Sequence, residues 1–284
     1  MEKKNFPKIF GLIALAAITI TVFAGFMNQG QSVEVASDGT PRAVIIDQLN
    51  DELPSKYFHQ KATEYLENAG YEVDIVTTLD VTVDFYKSLP EKNYKIVVVR
   101  THGADNPDGN NVVLFTGEKY QEDKYIQEQL FGQVTKAAPL LEIAYKPVDE
   151  SESNWVIVND TYRYLKSSAQ KETSADNAFF AISPKLVSES MRGKFDDTIF
   201  VLGGCNTLAN PSLANSLIKR GASAVVGWDN KVGNADNDNA LLYFLDSYLA
   251  QDLDITKSIE NLQDAMNPAS MPYPAKFIHY QNIV

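Results

Sequence analysis

The single cysteine of this chain, Cys205, and its three histidines, His59, His102 and His279, are the side chains suited to act as nucleophile and general base near neutral pH. Two of the four stand in matching contexts. Ile96-Val97-Val98-Val99 runs through Arg100-Thr101 into His102-Gly103, and Ile199-Phe200-Val201-Leu202 runs through Gly203-Gly204 into Cys205. In each case an apolar run of strand type ends and a reactive side chain follows beside glycine. A free thiol is mostly protonated at neutral pH. A neighbouring imidazole lowers its pKa or takes its proton during attack, so a Cys–His pair is a unit of nucleophilic catalysis. The glycines let main chain approach a substrate closely, and the N–H groups of Gly103 and Cys205 are candidates to face a developing oxyanion. Each feature has a plainer alternative, since a lone cysteine at a strand end is commonly a small buried residue. His59 falls on the polar face of a helical pattern, where solvation is expected. His279 falls in a terminal strand, where a structural role is expected.

The elements that must position these residues follow from hydrophobic periodicity. Ala43–Ile46, Tyr71–Val76, Ile96–Val99, Ala178–Ile182, Thr198–Leu202 and Ala224–Trp228 read as strands. Several are apolar on both faces, as strands in the middle of a helix-covered parallel sheet are. Between them lie helical patterns at Ser55–Ala69, Val83–Ser88, Asn210–Arg220, Asn239–Leu249 and Thr256–Met266, and one opened by Ser183-Pro184. The βαβαβ opening predicts an α/β fold with a doubly wound, mostly parallel sheet flanked by helices. Residues Glu118–Asp176 read as a β-rich insertion or added lobe between the His and Cys motifs. A hairpin is expected over Asn111–Gln121, with turn residues Thr116-Gly117, and further strands at Glu142–Tyr145 and Trp155–Asn159. Ligands of open α/β sheets bind beyond the carboxyl ends of the strands. Asp47, His102, Cys205 and Asp229 all fall there. The two aspartates are equally suited to turn or capping roles.

Composition bounds the function. A chain of 284 residues with 44% hydrophobic residues can bury a sizeable core. A net charge of −12 disfavours nucleic acid as a partner, and no basic patch relieves it. One cysteine excludes an internal disulfide and a cysteine-rich zinc site. The run Asn234, Asp236, Asn237, Asp238 is a candidate calcium loop but lacks the full EF-hand pattern, and the chemistry above requires no cofactor. Lys3, Lys4 and Lys8 precede an uncharged apolar run, Ile9–Met27, long enough to cross a bilayer. Residues 1–27 therefore read as a signal anchor, or as a signal peptide cleaved near Ala24-Gly25. Residues 28–40 read as a linker and 41–284 as the domain. Either reading of the first segment exports the domain, to the outer face of a cell membrane or into the medium.

The motif Val97-Val98-Val99-Arg100-Thr101-His102-Gly103 resembles the strand-then-His-Gly motif of caspase-like cysteine peptidases. Phe200-Val201-Leu202-Gly203-Gly204-Cys205-Asn206-Thr207 resembles their strand-then-Cys motif. The segment Arg220-Gly221-Ala222-Ser223-Ala224-Val225-Val226-Gly227-Trp228, one helix further on, is similar to CHAT domains and gingipain-type peptidases, and the order His before Cys agrees. The resemblance spans roughly Pro41–Asp264. It implies a caspase-like fold, Cys205 as nucleophile, His102 as its imidazole partner and Gly103 N–H at the oxyanion. It implies a specificity pocket near Gly203, Trp228 and Asp229, with Asp47 on the same edge. An acidic floor at Asp229 would favour a basic residue before the scissile bond of a protein or peptide substrate. The Gly204-Cys205 step departs from the Ala-Cys step of caspases, and the His-to-Cys interval is longer than compact caspases need.

Two other classes compete. A non-catalytic binding or scaffold domain would keep the fold and hold Cys205 inert. A glutamine amidotransferase would need a nucleophile elbow and a histidine after the cysteine. His279 alone has that order, and Thr207 stands where the elbow's last glycine belongs.

Overall fold

Runs of Val, Ile and Leu form the centre of the molecule. The computed structural model describes residues 39–105, 112–138, 155–158, 161–164, 178–266 and 271–281. The first half comprises β1 (Arg42–Asp47), α1 (Lys56–Asn68), β2 (Glu72–Thr77), α2 (Val83–Ser88), β3 (Tyr94–Arg100), β4 (Gly103–Asp105), β5 (Val112–Lys119), α3 (Ile126–Leu130) and β6 (Val134–Ala137). The second comprises β7 (Trp155–Val158), β8 (Thr161–Tyr164), β9 (Phe179–Ile182), α4 (Pro184–Glu189), β10 (Thr198–Gly203), α5 (Ser212–Lys219), β11 (Ala222–Trp228), α6 (Asn234–Leu245), α7 (Ile255–Met266) and β12 (Phe277–Gln281).

Six strands build the main sheet in the order β12-β11-β10-β3-β1-β2. All neighbours are parallel except β12, which runs antiparallel to β11. Alternate residues of its central strands enter opposite cores, which is why those strands are apolar throughout. Val44, Ile46, Val97, Val99, Phe200 and Leu202 face one core with Leu186 and Val187 of α4 and Leu213 and Leu217 of α5. Ala43, Ile45, Ile96, Val98 and Val201 face the other, against Phe58 and Leu66 of α1, Leu241 and Phe244 of α6 and Ile259 and Leu262 of α7. The expected α/β architecture, a mostly parallel sheet flanked by helices, is present and is compatible with a doubly wound fold. Helix starts follow local chemistry: Ser55, Thr82 and Ser183 cap α1, α2 and α4 by accepting main-chain N–H groups.

A second, antiparallel sheet runs β4-β5-β9-β6. Here the structure corrects the reading of Asn111–Gln121 as a hairpin. Thr116 and Gly117 lie inside β5, which pairs with β4 on one side and β9 on the other. The buried Thr116 hydroxyl donates to the Phe180 carbonyl at 2.8 Å. Partners distant in sequence thus override a local turn signal. Helix α6 starts at Asn234, five residues before the expected Asn239, so the proposed calcium loop is helix. Of the Glu118–Asp176 stretch, the described parts are the end of β5, α3, β6 in the second sheet, and the antiparallel pair β7–β8. The expected strand Glu142–Tyr145, the apolar segment Ile9–Met27 and nearly all of the linker lie outside the described residues. Among the described residues no helix is long and apolar enough to cross a membrane.

Candidate active site

Strands β3 and β10 are parallel neighbours, and their last register pair is Arg100 with Gly203. His102 and Cys205 each lie two residues past that pair, so the sheet brings the two candidate reactive residues side by side at its carboxyl edge. The turns that carry them are in close contact. Thr101 N–H donates to the Gly203 carbonyl at 3.0 Å. A side chain at Gly103 would run into the Cys205 carbonyl oxygen, and one at Gly204 would run into that of Thr101. Gly204 also has φ +152°, at the edge of the region that favours glycine. These two glycines serve first to let the two turns touch.

His102 is half-buried, its ring lying edge-on to Phe115 with centroids 5.6 Å apart. Its main-chain N–H donates to Gln48 Oε1 at 3.1 Å. Its Nε2 lies 3.0 Å from Glu52 Oε2. A carboxylate only accepts, so Nε2 carries the proton and Nδ1 of the neutral ring keeps its lone pair. The thiol lies against the loop that follows β11. Cys205 Sγ is 3.5 Å from the Val232 carbonyl oxygen and receives the Val232 N–H at 3.5 Å. Among the described residues no hydrogen bond joins His102 to Cys205, and the Cys205 main-chain N–H has no partner. An unpartnered N–H at this position suits an oxyanion contact.

The turn after the thiol is stitched to the next strand. Asn206, at φ +58°, donates to the Asn230 carbonyl at 3.0 Å, and Leu208 N–H donates to that of Trp228 at 2.7 Å. The buried Thr207 hydroxyl donates to the Leu202 carbonyl at 3.2 Å and accepts the Trp228 N–H at 3.0 Å. The residue that breaks the elbow pattern is therefore the one that braces the turn.

The four expected substrate contacts separate into one half-buried and three interior. Asp47 is 0% exposed. Its carboxylate receives two bonds from Arg100 Nη1, at 3.0 and 3.2 Å, and one from Leu49 N–H, and Oδ2 lies 2.7 Å from His59 Nε2. It has no open face for a substrate. His59 is correspondingly not a solvated surface residue, because α1 crosses the end of β1 and lays the imidazole on Asp47. Gly203 is buried where Leu241 and Asn237 of α6 pack against it. Trp228 is 1% exposed, edge-on to Phe277, and its Nε1 donates to Asn237 Oδ1 at 3.0 Å. These three support the site from beneath. Asp229 alone stays at the surface, with Oδ1 accepting the Lys276 N–H at 2.7 Å. The acidic run in α6 is engaged as well. Asn237 holds Trp228 and Asp238 holds Arg100, and among the described residues no group of three or more His, Cys, Asp or Glu is placed to hold a metal ion.

Sequence reasoning missed Gln48 and Glu52, and read Asp238 as part of a calcium loop rather than as the partner of Arg100. Turn residues carry no periodic signal, so nothing local marked Gln48 or Glu52. Arg100 did carry one: a charged residue continuing an apolar buried strand implies a buried ion partner. Burial alone would pull its guanidinium down, but the Asp238 and then the Asp47 carboxylates outweigh that and hold it above its ordinary value. Removing one partner of such a cluster costs about 3–5 kcal/mol. No protein-family model matches the chain, and no curated protein is significantly similar to it.

Proposed function

We propose that this chain is a caspase-like cysteine endopeptidase in which Cys205 is the nucleophile and His102 its base. The observation that carries the reading is the matched position of the two residues, two steps beyond the Arg100–Gly203 pair of adjacent parallel strands. Glu52 on His102 Nε2 and the free Cys205 N–H add to it. In the reaction, the Cys205 thiol proton passes to His102 Nδ1 as Sγ attacks the scissile carbonyl carbon. The oxyanion faces the N–H groups of Cys205 and Gly103. Collapse breaks the C–N bond, the imidazolium returns its proton to the leaving amine, and a thioester remains. Water, deprotonated by His102, then attacks the thioester and frees the acid and the thiol. No cofactor enters this sequence. Asp47 is enclosed, so the half-exposed Asp229 is the remaining acid for a basic residue before the scissile bond. The first 27 residues would tether the domain outside a cell membrane through the 28–40 linker, or would be cleaved to release it.

A second reading, a binding domain with an inert thiol, draws on the contact of Cys205 Sγ with Val232 rather than with His102. Alkylation of the full chain in detergent by iodoacetamide across pH separates the two. The peptidase reading expects fast labelling with an apparent pKa below about 8.5, slowed in His102→Ala, and hydrolysis of Arg and Lys peptides that Cys205→Ser abolishes. Slow labelling indifferent to His102 would favour the binding domain.

A further inference from the structure

Beneath the reactive edge lies a buried guanidinium with all three nitrogens engaged. Arg100 is 2% exposed. Its Nε and Nη2 form a fork on Asp238 of α6, at 2.7 and 3.1 Å. Both Nη1 contacts go to Asp47 at the end of β1, and Nη2 also donates to the Leu53 carbonyl at 2.8 Å. The Phe58 ring centroid lies 5.7 Å from the guanidinium carbon. A tie to a main-chain carbonyl fixes a loop, and this loop is the one that serves the histidine. Leu53 follows Glu52, which bonds His102 Nε2, and Gln48, which bonds His102 N–H, opens the same segment. Asp47 anchors its start by accepting the Leu49 N–H at 3.0 Å. Arg100 itself ends β3, two residues before His102.

We propose that Arg100 is a positioning residue, which sets the orientation of His102 by holding the Gln48–Leu53 loop between β1 and α6. The proposal rests on the Cys–His reading above. Its geometry makes the head group specific. Lysine at this place keeps the charge but cannot fork onto Asp238 while also reaching Asp47 and the Leu53 carbonyl. Arg100 makes no hydrogen bond to the thiol, and on this proposal its influence on Cys205 passes through His102.

That route defines the test. The rate of Cys205 alkylation by iodoacetamide at pH 7 is measured on the full chain in detergent for wild type, Arg100→Lys, His102→Ala and the double variant. Arg100→Lys is expected to slow labelling about tenfold in the wild-type background, the scale of one lost charge-assisted hydrogen bond. In the His102→Ala background it is expected to change the rate less than about twofold, because the group it positions is gone. Equal slowing in both backgrounds would mean that Arg100 merely supports the fold near Cys205, and would overturn the proposal. No slowing in either would overturn it too, while leaving the Cys–His reading intact. Equal rates for wild type and His102→Ala would remove that reading and this proposal together. If circular dichroism shows Arg100→Lys unfolded, Asp238→Asn, which keeps the shape and loses the charge, carries the same comparison with the same expectations.

Discussion

At the scale of single residues, the reactive edge is governed by which charged groups have partners. Glu52 settles the protonated nitrogen of His102, leaving Nδ1 with the lone pair. Asp47 and Asp238 share one guanidinium as partner. Asp236, in the first turn of α6, differs: burial pushes its carboxyl above the ordinary range. Its folded-state value therefore lies above its unfolded one. Between the two values the native state binds more protons, so stability falls as pH rises through that window, and the full cost remains at neutral pH. Asp236→Asn is therefore expected to melt modestly higher than wild type at pH 7. The difference should vanish near pH 3, where both states carry a protonated carboxyl. Thermal melts at the two pH values check this, and an Asn variant less stable at pH 7 would count against it.

At the scale of elements, the site is the meeting of two turns, after β3 and after β10. Both must pass closer than side chains allow. A methyl at Gly204 meets the Thr101 carbonyl oxygen in a backbone conformation that L-residues seldom adopt. Gly204→Ala is expected to cost about 1–3 kcal/mol and to separate the turns, so that Cys205 labelling loses its dependence on His102. Urea unfolding measures the first effect and alkylation with and without His102→Ala the second. Helix α6 matters for a related reason. It closes onto Gly203 from below and offers Asn237 to Trp228 and Asp238 to Arg100. One helical turn thereby braces β11 and β3 on either side of β10.

At the scale of the whole molecule, two apolar cores clamp the main sheet, and the reactive edge inherits its rigidity from them. The antiparallel β12 completes one core late in the sequence. Phe277 is 0% exposed, its centroid 5.2 Å from that of Trp228 and 6.1 Å from that of Phe244. Phe277→Ala is expected to cost about 3–5 kcal/mol, with the loss read by urea unfolding and a shift in Trp fluorescence as Trp228 loosens. A cost below about 1 kcal/mol would mean that β12 is not integral to the core.

Much of this architecture was legible because it depends on local patterns. Continuous apolar runs such as Val97–Val99 and Phe200–Leu202 are buried on both faces whatever their neighbours, so strand identity and a parallel sheet could be read directly. Caps such as Ser183-Pro184 were legible because their bonds close within a few residues. The adjacency of His102 and Cys205 was an inference from strand ends, and it needed the strand order to become geometry. Tertiary structure alone decided the rest. Asp47 read as a substrate contact or a turn carboxylate at a strand end; it does cap the Leu49 N–H, and His59 and Arg100 enclose it from 12 and 53 residues away. Thr116-Gly117 looked like a turn, yet the Thr116 hydroxyl on the Phe180 carbonyl and the Gly117 N–H on the Val81 carbonyl hold it inside β5. Glu52 sat in an unremarkable loop until Arg100 drew that loop to the histidine. Hydrophobic periodicity reports which face of an element is buried. Which charged groups meet there depends on long-range pairing, and only the folded chain sets that.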